Sequence, residues 1–154
     1  MQRKVRISRG LQWRWLDTWG LRYTMTDGVI EVYDGAIPQT PDLAPTGRLL
    51  GVVTSRGLPF VAGQRSGGAL ALIQPYIGQL AGDMSQGPWF LTPTATGTAT
   101  WWRMHWNGPD PNTDDPLGNY PRIDGEVGDS LLLATNTLVA GQAKAVAGFY
   151  LQFD

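Results

Sequence analysis

The stretch Thr96-Gly-Thr-Ala-Thr-Trp-Trp-Arg-Met-His-Trp106 holds three of the seven tryptophans and alternates strictly between two faces. One face carries Trp102, Met104 and Trp106, and the other carries Trp101, Arg103 and His105. Side chains with a period of two belong to a β-strand, and Trp and Thr suit its pleated, half-buried surface. The stretch therefore predicts a central strand whose more apolar face, the first of the two, lies in the core.

The composition bounds the class of protein. A chain of 154 residues is the size of one domain with a substantial core. It contains no cysteine, which excludes disulfides, thiolate nucleophiles and cysteine-based metal sites. Because no apolar run approaches the ~20 residues of a membrane span and the basic N-terminus lacks the apolar core of a signal peptide, we expect a soluble protein made in the cytoplasm.

The first 22 positions are basic, whereas the rest of the chain is acidic. They hold six of the twelve Lys and Arg residues and one acid, Asp17. Residues 1–9 cannot bury enough surface by themselves to become ordered, so we expect a flexible basic arm; an arm that adds a strand to a neighbouring subunit is the alternative. Contact between the arm and nucleic acid is a weaker alternative, because a few charges give only salt-sensitive binding.

Residues 10–154 are predicted to form one domain that begins with a helix over 10–23. Leu11, Trp15, Trp19 and Tyr23 recur every four residues, as on one face of a short amphipathic helix, which Gly20 interrupts and is a candidate to end. Seven or eight short runs of β-forming residues follow, separated by Gly, Pro and Asp at intervals of roughly 8–15 residues. This pattern predicts an all-β, antiparallel two-sheet β-sandwich of the jelly-roll type. Residues 107–121, with prolines at 109, 111, 116 and 121 and with three acids, are predicted to be a long exposed loop.

Candidate chemistry is sparse. His105 is the only histidine, no Gly-x-Ser-x-Gly motif accompanies it, and a structural or surface role is the favoured interpretation. The segment Asp110-Pro-Asn-Thr-Asp-Asp115 begins like a Ca²⁺ loop, but Asp115 replaces the glycine of its sixth position and Pro121 the glutamate of its twelfth. We therefore expect no catalytic residue, no metal and no cofactor.

Several segments together resemble small virion proteins of tailed bacteriophages. The segment from Gly28 to Gly35 resembles their "I-x-I-Y-x-G" strand, and Ala44-Pro-Thr-Gly-Arg-Leu-Leu-Gly51 resembles their "Q-P…T-G-x-L-L" segment. Three further segments are similar to "G-T-A-x-W-F-R", "D-G-x-V-G" and "x-T-x-I-V-A-G-Q", and they are Gly97–Arg103, Asp124–Gly128 and Asn136–Gln142. The likeness keeps the same order over about residues 28–153. It implies a structural role without catalytic residues.

The leading hypothesis is thus a non-enzymatic structural protein of a phage virion, made in the host bacterial cytoplasm. A head decoration or capsid accessory protein is favoured, and a tail, neck or fibre-associated protein is the alternative. We expect other virion proteins and further copies of the chain as partners, with neither nucleic acid nor membrane. The residues expected to make these contacts are Arg3, Lys4, Arg6, Arg9, Trp13, Trp101, Arg103 and His105. A carbohydrate-binding module with exposed tryptophans is the alternative from another class, and a small esterase or glycosidase built around His105 is a distant third.

Overall fold

The computed structural model describes residues 5–17 and 20–152. Two short helices, α1 (Arg9–Asp17) and α2 (Leu21–Met25), stand where the sequence predicts one helix over 10–23. The prediction of a single helix is therefore wrong. Gly20 has extended backbone angles (φ −59°, ψ 158°) and begins α2 from outside the helix, so the two helical segments are not continuous.

Short strands make up most of the regular structure. In chain order they are β1 (Arg6–Ile7), β2 (Val29–Tyr33), β3 (Leu49–Ser55), β4 (Leu72–Tyr76), β5 (Gln79–Gly82), β6 (Trp89–Pro93), β7 (Gly97–Thr98), β8 (Trp101–His105), β9 (Arg122–Glu126), β10 (Leu131–Leu133), β11 (Thr137–Leu138) and β12 (Lys144–Gln152). All pairings between these strands are antiparallel.

The main sheet is curled and has the order β1-β9-β8-β2-β3-β6-β12-β5-β4, with β10 attached to β12; β7 and β11 form a separate ribbon. The curl occurs along β12, which pairs with β6 through Lys144 and Ala145 but with β5 through its last three residues. The all-β prediction is confirmed. This connectivity does not by itself divide the strands into the two stacked sheets of a jelly roll.

The core lies inside the curl. Trp102 on β8 and Phe149 on β12 meet edge to face with their ring centroids 5.2 Å apart, and Trp89 on β6 lies 5.7 Å from the same phenyl ring. Such pairs contribute more than their buried area alone. Trp102 and Met104 are fully buried, as the alternation predicts, whereas Trp106 is only half-buried.

The first described residues belong to the folded body. β1 pairs with β9 so that Arg6 lies opposite Asp124 and Ile7 opposite Ile123. The Ser8 hydroxyl donates to the Tyr120 carbonyl (2.8 Å) and accepts from the backbone N–H of Arg122 (2.8 Å). The predicted flexible arm over 1–9 is therefore not free from residue 5 onward, because the edge of β9 supplies the hydrogen bonds that the segment alone lacks. Residues 1–4 lie outside the described part.

Gly125 provides a test of the core packing. A Cβ at this position would lie 2.4 Å from a ring carbon of Trp102. The indole cannot easily move, because it is buried against Phe149 and donates to the Glu126 carbonyl. We expect Gly125→Ala to lower the free energy of unfolding by about 1–3 kcal/mol, the usual cost of overpacking. Urea unfolding followed by tryptophan fluorescence would measure this.

Gly20→Ala is the matched control, since nothing lies within 4 Å of the added methyl group. Its cost should not exceed about 1 kcal/mol, because Gly20 is the N-cap of α2 and alanine is a somewhat poorer N-cap residue than glycine. Equal losses for the two variants would contradict the packing described for Trp102.

Candidate functional site

The second face of β8 is covered by the chain itself. Trp101, Arg103 and His105 are all buried, although the sequence predicted that they contact other subunits. The cover is the segment 107–121, which folds back over β8 and β9 and is held there by side-chain hydrogen bonds. These three residues are therefore not available at the surface of the folded chain.

Arg103 and Asp124 form the deepest ion pair, on the neighbouring strands β8 and β9. The guanidinium donates from Nε to Oδ1 (2.7 Å) and from Nη2 to Oδ2 (2.8 Å), and both side chains are fully buried. This two-pronged geometry is the strongest that an arginine and a carboxylate can form. Arg103 also donates through Nη1 to the side-chain oxygen of Asn112 (3.1 Å), which ties the covering segment to the sheet.

His105 lies between two carboxylates. Its Nδ1 is 2.8 Å from Oδ2 of Asp110, and its Nε2 is 3.0 Å from Oε2 of Glu31 on β2. Burial lowers the pKa of His105, but hydrogen bonds to the two carboxylates and their charges outweigh it and raise the pKa above the ordinary value. Both ring nitrogens therefore donate, and the side chain is an imidazolium.

Arg122 on β9 completes the arrangement. It donates from Nε and Nη2 to the two oxygens of Asp110 (2.8 and 2.7 Å) and from Nη1 to the carbonyls of Pro41 and Thr113. Burial raises the pKa of Asp110, yet hydrogen bonds from Arg122 and His105 lower it well below its usual range. Asp110 thus stays ionised and joins a histidine of one strand to an arginine of the next.

Six ionisable side chains form this buried cluster, and they are Glu31, Arg103, His105, Asp110, Arg122 and Asp124. Three are acids and three are bases, so their charges cancel only when His105 carries a proton. Burying charge is costly unless every charge is paired and hydrogen bonded, and here each one is. The charge balance supports the protonation state that the hydrogen bonds require.

Asn112 and Tyr33 enclose the Glu31 side of the cluster. The Asn112 amide donates to Oε2 of Glu31 (2.7 Å) and to the Tyr33 hydroxyl (2.8 Å), and that hydroxyl donates to the same carboxylate oxygen. Burial raises the pKa of Glu31, but hydrogen bonding to His105 lowers it overall. The Tyr33 ring stacks on Trp101 with centroids 4.4 Å apart, and the Arg103 guanidinium lies 5.7 Å from the Trp101 ring.

The acids of the segment 107–121 do not converge on a cation. Asp110 binds His105 and Arg122, Asp114 accepts from the backbone of Ala44, and Asp115 accepts from two backbone N–H groups of its own segment. Among the described residues, no group of three or more His, Asp or Glu side chains could hold a metal ion. The prediction of a long exposed loop fits residues such as Leu117, which is 80% exposed, but it does not fit Asp115, which is buried, or Asp110, whose side chain is 3% exposed.

An open groove of about 670 Å³ runs beside the cluster. The outer faces of β2, β3 and β6 form its floor, and the segments 57–62 and 108–110 form its walls. The lining is mostly apolar, with Val29, Val52, Leu58, Pro59 and Phe60 among it, while Glu31 and His105 mark one end. Glu31 reaches the groove with 22% of its side chain exposed, whereas His105 is almost wholly covered.

The remaining expected contact residues are scattered. Arg6 donates to the carbonyl of Pro38, and Arg9 pairs with Asp42 at 3.1 Å, so both are used within the chain. Trp13 is 72% exposed on α1. Arg3 and Lys4 lie outside the described residues.

The partners that complete the cluster were not among the residues predicted from the sequence. Arg122 and Asp124 are two positions apart on β9, as Arg103 and His105 are on β8, so each pair lies on one face of its strand. This shared spacing is the signal in the sequence that could have predicted their pairing. Glu31 and Asp110 carry no such signal, because one lies in a strand far away along the chain and the other in an irregular segment.

Comparison with protein-family models, with curated proteins and with solved structures found no match. Neither helix in the described part of the chain is long and apolar enough to cross a membrane. The fold and the cluster therefore have to be interpreted from their own geometry.

The pH dependence of stability should have a maximum between about pH 4.5 and 6.5, the ordinary pKa values of Glu31 and His105. Above 6.5 the unfolded chain loses the imidazolium proton while the folded chain keeps it, so stability falls as pH rises through the raised folded pKa. Below 4.5 the unfolded acids take up protons before Glu31 and Asp110 do in the fold, so stability falls again. Asp124, whose pKa is raised by burial, opposes this acid limb.

The alkaline limb belongs to His105, the only histidine. We expect His105→Gln to be less stable at pH 6 and to flatten the decline just above pH 6.5, as measured by urea unfolding across pH. A decline of unchanged slope in the variant would contradict a protonated His105.

Removing the charge of Asp110 should be strongly destabilising. Asp110→Asn leaves Arg122 and His105 buried without their shared carboxylate, and breaking a buried ion pair in this way costs about 3–5 kcal/mol. Asp114→Asn is the matched control in the same segment, because its exposed side chain can still accept the hydrogen bond from Ala44. Chemical denaturation of both variants at pH 6 gives the comparison, and similar midpoints would show that the cluster does not support the fold.

Proposed function

We propose that the chain is a non-enzymatic structural protein of a tailed-phage virion, most specifically a head decoration or capsid accessory protein. The observation that carries this proposal is the order of the resembling segments together with their places in the fold. Gly28–Gly35 contains β2, Gly97–Arg103 spans β7 and the start of β8, and Asp124–Gly128 contains the end of β9. β2, β8 and β9 are consecutive neighbours in the sheet, so the likeness follows one connected part of the structure.

The chemistry of the buried cluster supports a structural role. A general base needs a nitrogen or oxygen lone pair within reach of a substrate proton. Both nitrogens of His105 are engaged by carboxylates, and the Asp124 carboxylate is held by Arg103 away from solvent. The cluster is arranged to fix the segment 107–121 on the sheet, which is the requirement of a protein that presents constant surfaces to its neighbours.

Further features fit assembly with other virion proteins and with further copies of the chain. The basic residues Arg3 and Lys4 precede a body whose other charges are mostly acidic, so they are suited to contact an acidic capsid or tail component. A position in the tail, neck or fibre would use the same surfaces and is the alternative. The finer architecture that we propose is a sandwich, in which the part of β12 that carries Phe149 packs over Trp102 of the facing strand β8.

A carbohydrate-binding module is the second candidate, and one observation favours it: Trp13 is exposed on α1. Sugar recognition commonly uses an exposed aromatic face, but Trp89, Trp101 and Trp102 are fully buried, and Trp106 is covered by Arg14 at 4.3 Å from its ring. The described tryptophans therefore offer one exposed ring and no flat platform of several rings. This is weaker support than the arrangement of the resembling segments.

The proposal is tested by quantitative mass spectrometry of purified particles of the phage that encodes the chain. Hundreds of copies per particle would indicate the head shell or the tail tube, and about a dozen or fewer would indicate the connector, baseplate or fibres. Absence of the chain from purified particles would contradict the proposal.

A second part of the same experiment tests the N-terminal charges. We expect Arg3→Ala combined with Lys4→Ala to reduce incorporation severalfold, because two charges that face an acidic partner are removed. Arg56→Ala removes an exposed cation from the body and serves as the control. Equal incorporation of the two variants would exclude the N-terminal charges from the contact.

A further inference from the structure

The hairpin of β4 and β5 ends in an apolar tip. Tyr76 is 74% exposed and Ile77 is wholly exposed, and Ile73 on the same strand is also exposed. Ile77 and Gly78 form the turn, with Gly78 at φ 78°, and Tyr76 pairs with Gln79 across it. Turn positions favour Gly, Asn, Asp, Ser and Pro, so an isoleucine here exposes apolar surface where a polar residue would serve the backbone better.

The hairpin carries no charged side chain of its own along its sheet edge, which is covered at Leu72 by the Arg22 side chain and the Thr26 hydroxyl. β4 is the last strand in the order of the main sheet. No Asp, Glu, Lys or Arg occurs from residue 66 to residue 82, which includes both strands and the turn. Edge strands commonly carry charges that prevent contact with other chains. This edge has none, although Pro75 interrupts the hydrogen-bonding edge of β4 itself. The tip is therefore better suited to side-chain insertion than to the addition of a strand.

The groove beside the buried cluster offers the complementary surface. Its volume of about 670 Å³ falls in the range of roughly 300–1,000 Å³ that encloses a drug-sized ligand, so it can hold the two side chains of a hairpin tip. Its apolar wall includes Leu58 and Phe60. All three side-chain hydrogen bonds that the described residues make to Glu31 reach Oε2, and none reaches Oε1. One carboxylate oxygen thus remains available to a donor in the groove.

We propose that the hairpin tip of one copy inserts into this groove of a second copy. Ile77 would occupy the apolar part, and the Tyr76 hydroxyl would donate to Oε1 of Glu31. The uncharged hairpin brings no carboxylate toward Glu31 and Asp110, which a hairpin with acidic residues would do. The tip does not fill the groove of its own chain, because both of its side chains are exposed there.

Such a contact is heterologous, since it joins two different surfaces of identical chains. It leaves one free tip and one free groove on every pair, so further copies can add until a ring closes or a filament grows. The area of one tip is small, and single contacts of this kind are weak. The inference concerns the purified chain alone and does not depend on its origin in a phage.

Sedimentation velocity over a range of protein concentrations tests the contact. The unchanged chain should show a weight-average mass that rises with concentration. Ile77→Asp should remain a monomer throughout, because a carboxylate would enter an apolar groove that already contains Glu31. Leu117→Asp is the control, since Leu117 is 80% exposed in a different part of the surface, and it should associate like the unchanged chain. A chain that stays monomeric at every concentration, or equal behaviour of the two variants, would overturn the proposal.

A groove variant separates this contact from a symmetric pairing of two hairpins. Thr92 is an exposed residue on β6 whose side chain lines the groove, and tryptophan suits a strand, so Thr92→Trp should fold and fill the groove. It should be monomeric alone. Mixed with Ile77→Asp, it should form dimers and nothing larger, because the mixture holds one intact tip and one intact groove per pair. Association of Thr92→Trp alone, or no dimer in the mixture of two variants whose circular dichroism matches that of the unchanged chain, would overturn the proposal.

The hydroxyl contact has its own test. Tyr76→Phe keeps the ring and removes the donor to Glu31, and a hydrogen bond to a charged group contributes enough that the association constant should fall about tenfold. An unchanged constant would overturn the assignment of Glu31 Oε1 as the acceptor.

Discussion

The buried imidazolium of His105 is the interaction on which the other contacts of the covered face depend. It connects Glu31 of β2 to Asp110 of the segment 107–121, and Asp110 in turn holds Arg122 of β9. Without its proton the cluster would contain three acids against two bases, all of them largely buried. A buried ion pair commonly adds little stability compared with an apolar core of the same volume. In the observed position of the covering segment, Asn112 and Asp110 provide partners for Arg103, His105 and Arg122.

This constraint explains why the sheet has two different kinds of interior. On one side Trp89, Trp102 and Phe149 pack as an ordinary apolar core inside the curl. On the other side, charged residues are covered by the segment 107–121, which is rich in proline and acids. Hydrogen bonds to charged side chains hold this segment in place, and an apolar strand face would not provide them. The polar side chains that look available for chemistry in the sequence, such as His105 and Asp110, are instead engaged in hydrogen bonds within the buried cluster. Surfaces that stay open include the groove next to the cluster and the uncharged hairpin at the far edge of the sheet.

The local pattern of apolar and polar residues was sufficient to predict most of the strands. The strand Val29–Tyr33 coincides with a run of β-forming residues that ends at the turn signal Asp34-Gly35. The strand Lys144–Gln152 lies within the alternating segment at the end of the chain. The segment 74–86 has no clear period, because the turn at Gly78 divides it into parts of two short strands and only one of them has buried residues. The helix prediction over 10–23 failed for a similar reason. A period of four residues describes which side chains are apolar, but it does not show that the backbone is extended at Gly20.

The sequence by itself determined that Trp102 and Met104 face a core, since the alternation of a strand is fixed by its covalent geometry. It did not determine what lies on the opposite face. That depended on whether Glu31, Asp110 and Asp124 come within hydrogen-bonding distance of His105 and Arg103. Glu31 and Asp124 are distant from them along the chain, whereas Asp110 is near His105 but lies in an irregular segment that no local pattern places. Only the tertiary structure decides such contacts, because the pairing of distant charges depends on how the whole sheet curls and on where the segment 107–121 returns. Residues that the sequence offered as an interface became the inside of the molecule for this reason.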